Sequence, residues 1–364
     1  MKIVTVFGTR PEIIRLSRII PLLDATADHV LVHTGQNAQP NLRDVFFEEL
    51  GVRAPNRSLG VDTSSFGRQL ATLMEGFETV LDAERPDRVL ILGDTNSALV
   101  AFNCKRRGIP VFHMEAGNRC YDARVPEEVN RVVIDHSSAV LLPYTERSAA
   151  NLVREGIDRS RIFVTGNPIC EVLRHYAPQI DASDALEIHG FTERAYLLAT
   201  MHRAESVDRP EVLHGLVHAL GEVAALYDMP LLLSVHPRTE QRLRALRSLP
   251  PLVRPVAAMP FFSFVKLQQH AALVLSDSGT VQEEACILGV PNITIREVTE
   301  RPETVEAGSN FVTGTNPDAI VAAARMLQAQ NGAATWTPPR EYLVPNVAEA
   351  VVRILLSVVP PAAR

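Results

Sequence analysis

Short, continuously apolar segments that recur between helix-forming stretches constrain this chain more than any other feature. In the first half they are Ile3–Phe7, Val30–His33, Arg88–Leu92, Val111–Met114, Val140–Leu142 and Ile162–Val164. Apolar strands alternating with helices predict a parallel sheet covered on both faces. A less regular stretch at about 170–193 reads as a connection, and the pattern then restarts at Tyr196–Thr200, Leu231–Val235, Leu273–Leu275 and Asn292–Ile295. A length of 364 residues leaves room for two such domains. The expected fold is therefore α/β: two Rossmann-like domains with parallel sheets, facing across a cleft. Their expected extents are residues 1–170 and 171–344, with an apolar C-terminal helix within 345–364 packing back on the first domain.

Polar residues gather where these strands end. Gly8-Thr9-Arg10-Pro11-Glu12 follows the first strand, Gly93-Asp94-Thr95 the third and Glu115-Ala116-Gly117 the fourth. In the second half the strands run into His202-Arg203, His236-Pro237 and Ser276-Asp277-Ser278-Gly279. Ligands of open α/β sheets bind beyond the C-terminal ends of the strands, which is where these groups fall.

Composition narrows the class of ligand. The formal net charge of -6 argues against a bulk nucleic-acid partner, which needs a basic face. A polyanionic ligand would instead need a local basic pocket. Only Lys2, Lys105 and Lys266 are lysines, so nearly every cation is arginine. Genomic base composition accounts for that bias, and phosphate recognition by individual arginines is compatible with it. Cys104, Cys120, Cys170 and Cys286 are scattered, without metal-ligand spacing, and fit reduced thiols in a cytoplasm. The chain enters a strand at Lys2 and has no apolar run long enough to span a bilayer, so neither a secretory leader nor a membrane partner is expected.

Several residues are of the types that carry chemistry. Gly8–Glu12 is a glycine turn into a helix N-terminus, a natural anion site, although it has neither the dinucleotide nor the Walker pattern. Ser278-Gly279-Thr280, before Glu283-Glu284, suits a diphosphate at a helix start, and Glu284 suits a ribose diol; helix capping is the alternative. Asp94, Glu115 and Glu127 are three carboxylates at strand or helix ends. Singly each reads as a helix cap; converging, they supply an acid and a base. His202 has the titration range for phosphate contact or proton transfer, although a lone histidine at a strand end is more often structural. Arg203, Glu205 and Arg301 add charge to the same rim.

Together these segments resemble the non-hydrolysing UDP-N-acetylglucosamine 2-epimerase family. The matching stretches are FGTRPEIIRLSRII, GDTNSA, HMEAGNR, PEEVNR, TGNPI, MHRAES, HPR, SDSGTVQEEA and ERPETVEAG, in the family's order over nearly the whole chain. The resemblance implies a fold of the GT-B type, with UDP held mainly by the second domain, and a homodimer formed through the first. It implies acid–base roles for Asp94, Glu115 and Glu127, and a catalytic or diphosphate role for His202. Arg10, Arg15, Arg203 and Arg301 would serve the diphosphate, Ser278, Gly279 and Thr280 its loop, and Glu284 the ribose. Arg15 stands where the family usually has lysine, and Thr280 where a second glycine is frequent. Asn37 replaces the histidine that, in many bacterial members, helps bind a second, activating UDP-N-acetylglucosamine. The TGQN, EAGNRCYDARVPEE and FVKLQ segments are similar to members acting on modified sugars, such as UDP-2,3-diacetamido-glucuronate or those of the UDP-N-acetyl-L-fucosamine route.

The implied chemistry is elimination of UDP to a 2-acetamidoglucal and re-addition, inverting carbon 2, in service of surface polysaccharide or glycoconjugate synthesis. No cofactor and no metal is expected. Rival readings are a hydrolysing 2-epimerase, a GT-B glycosyltransferase and a non-catalytic UDP-sugar sensor. The GTRPE opening argues against the first, the carboxylate trio and the motif order against the second, and the three carboxylates with His202 against the third.

Overall fold

The apolar segments assemble into two parallel six-stranded sheets in the computed structural model, which describes residues 1–36, 46–235, 237–245, 248–330 and 335–360. Asn37 and His236, both singled out in the sequence, lie outside the described residues. The chain divides into two compact units, Met1–Arg174 with Glu341–Arg364, and His175–Arg340.

The first sheet contains β1 (Lys2–Phe7), β2 (Asp28–His33), β3 (Arg57–Ser58), β4 (Arg88–Leu92), β5 (Val111–Met114) and β6 (Val140–Leu142), in the order β3-β2-β1-β4-β5-β6. Val4 pairs with Val30 on one side and Val89 on the other. Such central strands are buried on both faces, which is why they read as apolar runs. Val4, Val6, Val89 and Ile91 join one core cluster with Leu73 and Phe77. Each such side chain contributes about 1.5–3 kcal/mol on burial.

The crossovers of this unit are helices α1 (Arg10–Leu16), α2 (Ile19–Thr26), α3 (Phe66–Glu84), α4 (Val100–Arg106), α5 (Pro126–Ser137) and α6 (Glu146–Arg154). In α3, Ser65 caps the start by accepting from Arg68 N, and Leu73, Phe77, Val80 and Leu81 form the buried stripe at helical spacing. Ile162, expected to open a strand, bridges Leu141 in parallel, and Phe163 N and Thr165 N donate to Leu141 O and Pro143 O at 2.9 and 3.0 Å, so the segment lies beside β6 without forming a ladder of its own. The segment then turns away, with Asn167 N bonded to Glu341 O.

The second sheet contains β7 (Leu197–Met201), β8 (Leu231–Val235), β9 (Val253–Ala257), β10 (Leu273–Ser276), β11 (Asn292–Thr294) and β12 (Asn310–Val312), in the order β12-β11-β10-β7-β8-β9. Counted from β7, this is the same winding as the first sheet. Its helices include α7 (Pro210–Tyr227), α8 (Gly279–Leu288), α9 (Pro302–Ala307) and α10 (Pro317–Ala329). The chain then returns to the first unit with α11 (Val347–Ser357), which packs on α2. Glu171 accepts from Ala348 N at 2.9 Å near the start of α11, and Arg88 donates to Leu355 O near its end. Both units are thus Rossmann-like, the domain type of the GT-B class.

Candidate active-site residues at the two sheet ends

In a sheet wound this way, the loops leaving the first and fourth strands diverge because their helices cover opposite faces. The gap beyond their C-terminal ends is the usual ligand site. In the first unit those loops are Gly8–Glu12 and Gly93–Asn96. In the second they are His202–Arg203 and Asp277–Thr280. Seven of the sequence-predicted site residues fall on these four loops: Arg10, Asp94, His202, Arg203, Ser278, Gly279 and Thr280.

The glycine turn after β1 differs from its expected use as an anion site. Its amides are already taken by a side chain of its own helix: Glu12 Oε2 accepts from Gly8 N at 2.6 Å and from Thr9 N at 2.9 Å. The other oxygen accepts from Thr95 Oγ1 at 2.6 Å, which ties the turn to the β4 loop. With Glu12 only 2% exposed, burial pushes its carboxyl up to about 7 against the pull of these donors, and the charge on Asp94 adds to the rise. An internal carboxylate thus does here what a bound anion would do. Gly8 is required by close approach, since a Cβ there would lie 2.1 Å from Ser97 Oγ. Arg10 is exposed, its guanidinium 5.2 Å from the Phe46 ring centroid.

Asp94 is held from α5. Its Oδ2 meets Arg131 Nε at 2.8 Å and Nη2 at 2.6 Å, and Asn130 Nδ2 donates to its carbonyl at 3.0 Å. The remaining Arg131 nitrogen reaches Glu128 at 2.6 Å. Glu128 also accepts from Cys120 N and Tyr121 N, so it fastens the loop before α5. Its neighbour Glu127 is half-buried in the first turn of α5.

Glu115 sits at the end of β5 with φ 67°, a left-handed conformation that costs a non-glycine residue about 1–2 kcal/mol. Such outliers gather at functional sites. Its Oε2 lies 3.2 Å from Arg15 Nη1, and both side chains are almost fully buried. Arg15 also faces the Tyr144 ring at 5.9 Å.

In the second unit Asp277 is the organising group. It is fully buried, accepts from His202 N and Arg203 N at 2.9 Å each, and pairs with His202 Nδ1 at 2.9 Å. Burial pushes its carboxyl upward, but His202 and these two amides outweigh that and leave it at about 2. His202 stays nearly half exposed. Arg203 Nε donates to Asp277 O at 3.0 Å. Across the same gap, α8 begins at Gly279, and its first N–H groups follow Ser278, whose hydroxyl meets that of Thr280 at 3.0 Å. This ten-residue helix presents amides and two hydroxyls at its positive end, the chemistry that holds a diphosphate.

Arg301 lies beneath that loop. Its Nε is 2.5 Å from Glu283 Oε1, and Glu300, which also pairs with Arg296, is 3.8 Å away. A Cβ on Gly279 would stand 2.5 Å from Glu300 Oε1, so a larger residue there would displace the Glu300 carboxylate from this ion-pair layer. Glu284 is buried on α8. Arg301, expected to add charge to the diphosphate rim, is 3% exposed and lies against Glu283 and Glu300 inside the unit. Sequence reasoning did not find the roles of Glu12, Arg131 and Asp277. Each was visible as a charged residue inside a matched motif; Glu12 caps its own turn, but the ties of Glu12 to Thr95, of Arg131 to Asp94 and of Asp277 to His202 join residues far apart in the chain. Among the described residues no group of three or more His, Cys, Asp or Glu side chains could hold a metal ion, and no helix is long and apolar enough to cross a membrane.

Comparison with known proteins bears on the chemistry. Residues 23–356 match the family model described as UDP-N-acetylglucosamine 2-epimerase. The UDP-N-acetylglucosamine 2-epimerase of Methanocaldococcus jannaschii is 38% identical over 98% of this chain and 99% of its own. The UDP-2,3-diacetamido-2,3-dideoxy-D-glucuronate 2-epimerase of Pseudomonas aeruginosa is 34% identical over 89% of this chain and 92% of its own. The crystal structure of the Methanocaldococcus jannaschii UDP-GlcNAc 2-epimerase in complex with UDP-GlcNAc and UDP has a TM-score of 0.91 and 38% identity, and the match covers 98% of this chain and 99% of that one.

Proposed function

Because the chain belongs to the UDP-N-acetylglucosamine 2-epimerase family, and is an isomerase of that class, we propose that it interconverts UDP-GlcNAc and its carbon-2 epimer without net hydrolysis. The observation that carries the mechanism is the division of labour between the sheet ends. Carboxylates stand at the first, and a helix N-terminus with His202 and Arg203 stands at the second.

The hydrogen on carbon 2 is weakly acidic, because the acetamido group offers it no enolate. Loss of UDP from carbon 1 makes its removal feasible. A carboxylate takes the proton from carbon 2, the C1–O bond to UDP breaks, and a C1=C2 double bond forms. UDP then adds back to carbon 1 while an acid delivers a proton to the opposite face of carbon 2. The steps are redox-neutral and return every atom. Asp94, Glu115 and Glu127 are the proposed acid–base set. Ser278, Gly279, Thr280, His202 and Arg203 would stabilise the departing diphosphate, with Arg10 as a further cation and Glu284 at the ribose. Arg15 would serve through Glu115, and Arg301 through the loop it supports.

We further propose a homodimer formed through the first unit. Val129, Val132 and Val133 expose one apolar face of α5, and Phe102 is exposed on neighbouring α4. The working compartment would be the cytoplasm, where four free cysteines stay reduced, and the product would serve surface polysaccharide or glycoconjugate synthesis.

The test is incubation with UDP-GlcNAc in deuterated water, followed by NMR. The expected result is UDP-N-acetylmannosamine labelled at carbon 2, with little free UDP. Stoichiometric UDP release would replace this reading with the hydrolysing one. An Asp94→Asn variant that binds UDP and keeps full activity would remove Asp94 from the chemistry. Inertness on UDP-GlcNAc with turnover of UDP-2,3-diacetamido-glucuronate would move the substrate to the modified sugars.

A further inference from the structure

Asp135, on α5, is fully buried, and its two oxygens are divided between different neighbours. Oδ1 lies 2.8 Å from His113 Nδ1. Oδ2 accepts from Gly117 N at 3.1 Å and meets Arg119 Nη2 at 2.8 Å. The second ring nitrogen of His113, Nε2, stands 2.8 Å from the carbonyl oxygen of Gly93. A carbonyl can only accept, so Nε2 carries the hydrogen of that bond.

A single chain of bonds therefore runs from Gly93 through His113 and Asp135 to Gly117. Gly93 immediately precedes Asp94, and Gly117 follows Glu115 by two residues. The same helix grips Asp94 through Arg131 and Asn130, and it carries Glu127 in its first turn. One rigid element thus controls where all three carboxylates stand. Buried polar networks that satisfy every member rigidify what they join, and this one lies away from solvent.

We propose that His113 and Asp135 are positioning residues for the epimerase chemistry, holding the Asp94 and Glu115 turns at one fixed separation. The proposal rests on the reading that those carboxylates act at carbon 2. The bland alternative is a buried ion pair that only stabilises the first unit.

Two replacements of His113 separate these roles. Asparagine places its amide nitrogen near Nδ1, so it keeps a donor for Asp135 and drops the bond to Gly93. Glutamine reaches further and keeps a donor for Gly93. In His113→Asn, kcat should fall roughly 100-fold, the scale of a misplaced catalytic group, with KM and UDP affinity within about threefold of wild type. His113→Gln should recover about a tenth or more of the activity, and Asp135→Asn should behave like His113→Asn. Hydrogen exchange should quicken at residues 93–95 and 115–118 in the impaired variants.

An His113→Asn enzyme with kcat within about threefold of wild type would overturn the proposal. So would a parallel fall of kcat, UDP affinity and melting temperature. If wild type itself turns over no UDP-sugar, the functional reading fails, and exchange decides the rest. Faster exchange at both turns in His113→Asn, with UDP binding kept, sustains the positioning role, and unchanged exchange refutes it.

Discussion

Replacing Gly117 by alanine tests how tightly the Glu115 turn is seated. Gly117 has φ +78°, and a Cβ built on it would lie 2.2 Å from Ser148 O and 2.8 Å from Leu152 Cγ. The first contact is with the backbone of α6, so no side-chain rotation relieves it. Two terms add. The left-handed backbone disfavours alanine by about 1–2 kcal/mol. Forcing a methyl into a filled site costs about 1–3 kcal/mol more. The sum, about 2–5 kcal/mol, is a large part of the stability of an ordinary domain. For a unit of this size it lowers the melting midpoint by roughly 4–20 °C.

Gly156→Ala is the matched control. Its φ is +87°, and nothing lies within 4 Å of the added Cβ, so only the first term applies. Calorimetry on both variants separates the clash from the dihedral, and Gly117→Ala should melt well below Gly156→Ala. Because Asp135 grips Gly117 N, the displacement should also lower kcat in the first variant and spare it in the second. Equal midpoints for the two variants would refute the claim that α6 presses on the turn.

Other outcomes follow from the charge arrangement. Glu12 titrates near 7 in the fold against an ordinary value of 4.5, so its contribution is fully present below 4.5 and is lost as pH rises through about 7. Melting curves should therefore show wild type losing stability relative to Glu12→Gln across that window, by at most about 3 kcal/mol, and parallel curves would contradict this. Asp277 lies at about 2 against 3.8, the opposite sense: its contribution is present above 3.8 and is lost as pH falls through about 2. Acid unfolding should show the advantage of wild type over Asp277→Asn shrinking there, and at neutral pH calorimetry should show the variant binding UDP at least about tenfold more weakly, the effect of breaking a network on charged groups. Arg301→Ala withdraws the counter-charge from buried Glu283 and should destabilise the second unit by about 3–5 kcal/mol, measured by urea unfolding.

The sequence alone determined the α/β class and the positions of the central strands, because a strand buried on both faces must be apolar along its length. Val4, Val89 and Leu198 could be read for that reason. Edge strands could not: β3 is the two exposed residues Arg57–Ser58, and β9 carries Arg254 and Pro255, so neither shows the apolar run. Ile162–Val164 had the run, but it lies at the sheet edge beyond β6 and reaches that strand through a single bridge and two backbone bonds. The same division holds at the sheet ends. The placement of Asp94, Glu115, His202 and Ser278–Thr280 where strands end was legible, because each closely follows an apolar strand in the chain. The partners of charged groups were not legible, since Arg15 and Glu115 are 100 residues apart in sequence, and His202 and Asp277 are 75 apart. Only the winding of each sheet brings them within hydrogen-bond reach. Tertiary structure therefore decided that the glycine-turn amides serve Glu12, that Arg15 serves Glu115, and that α5 carries the bonds holding the carboxylates in place.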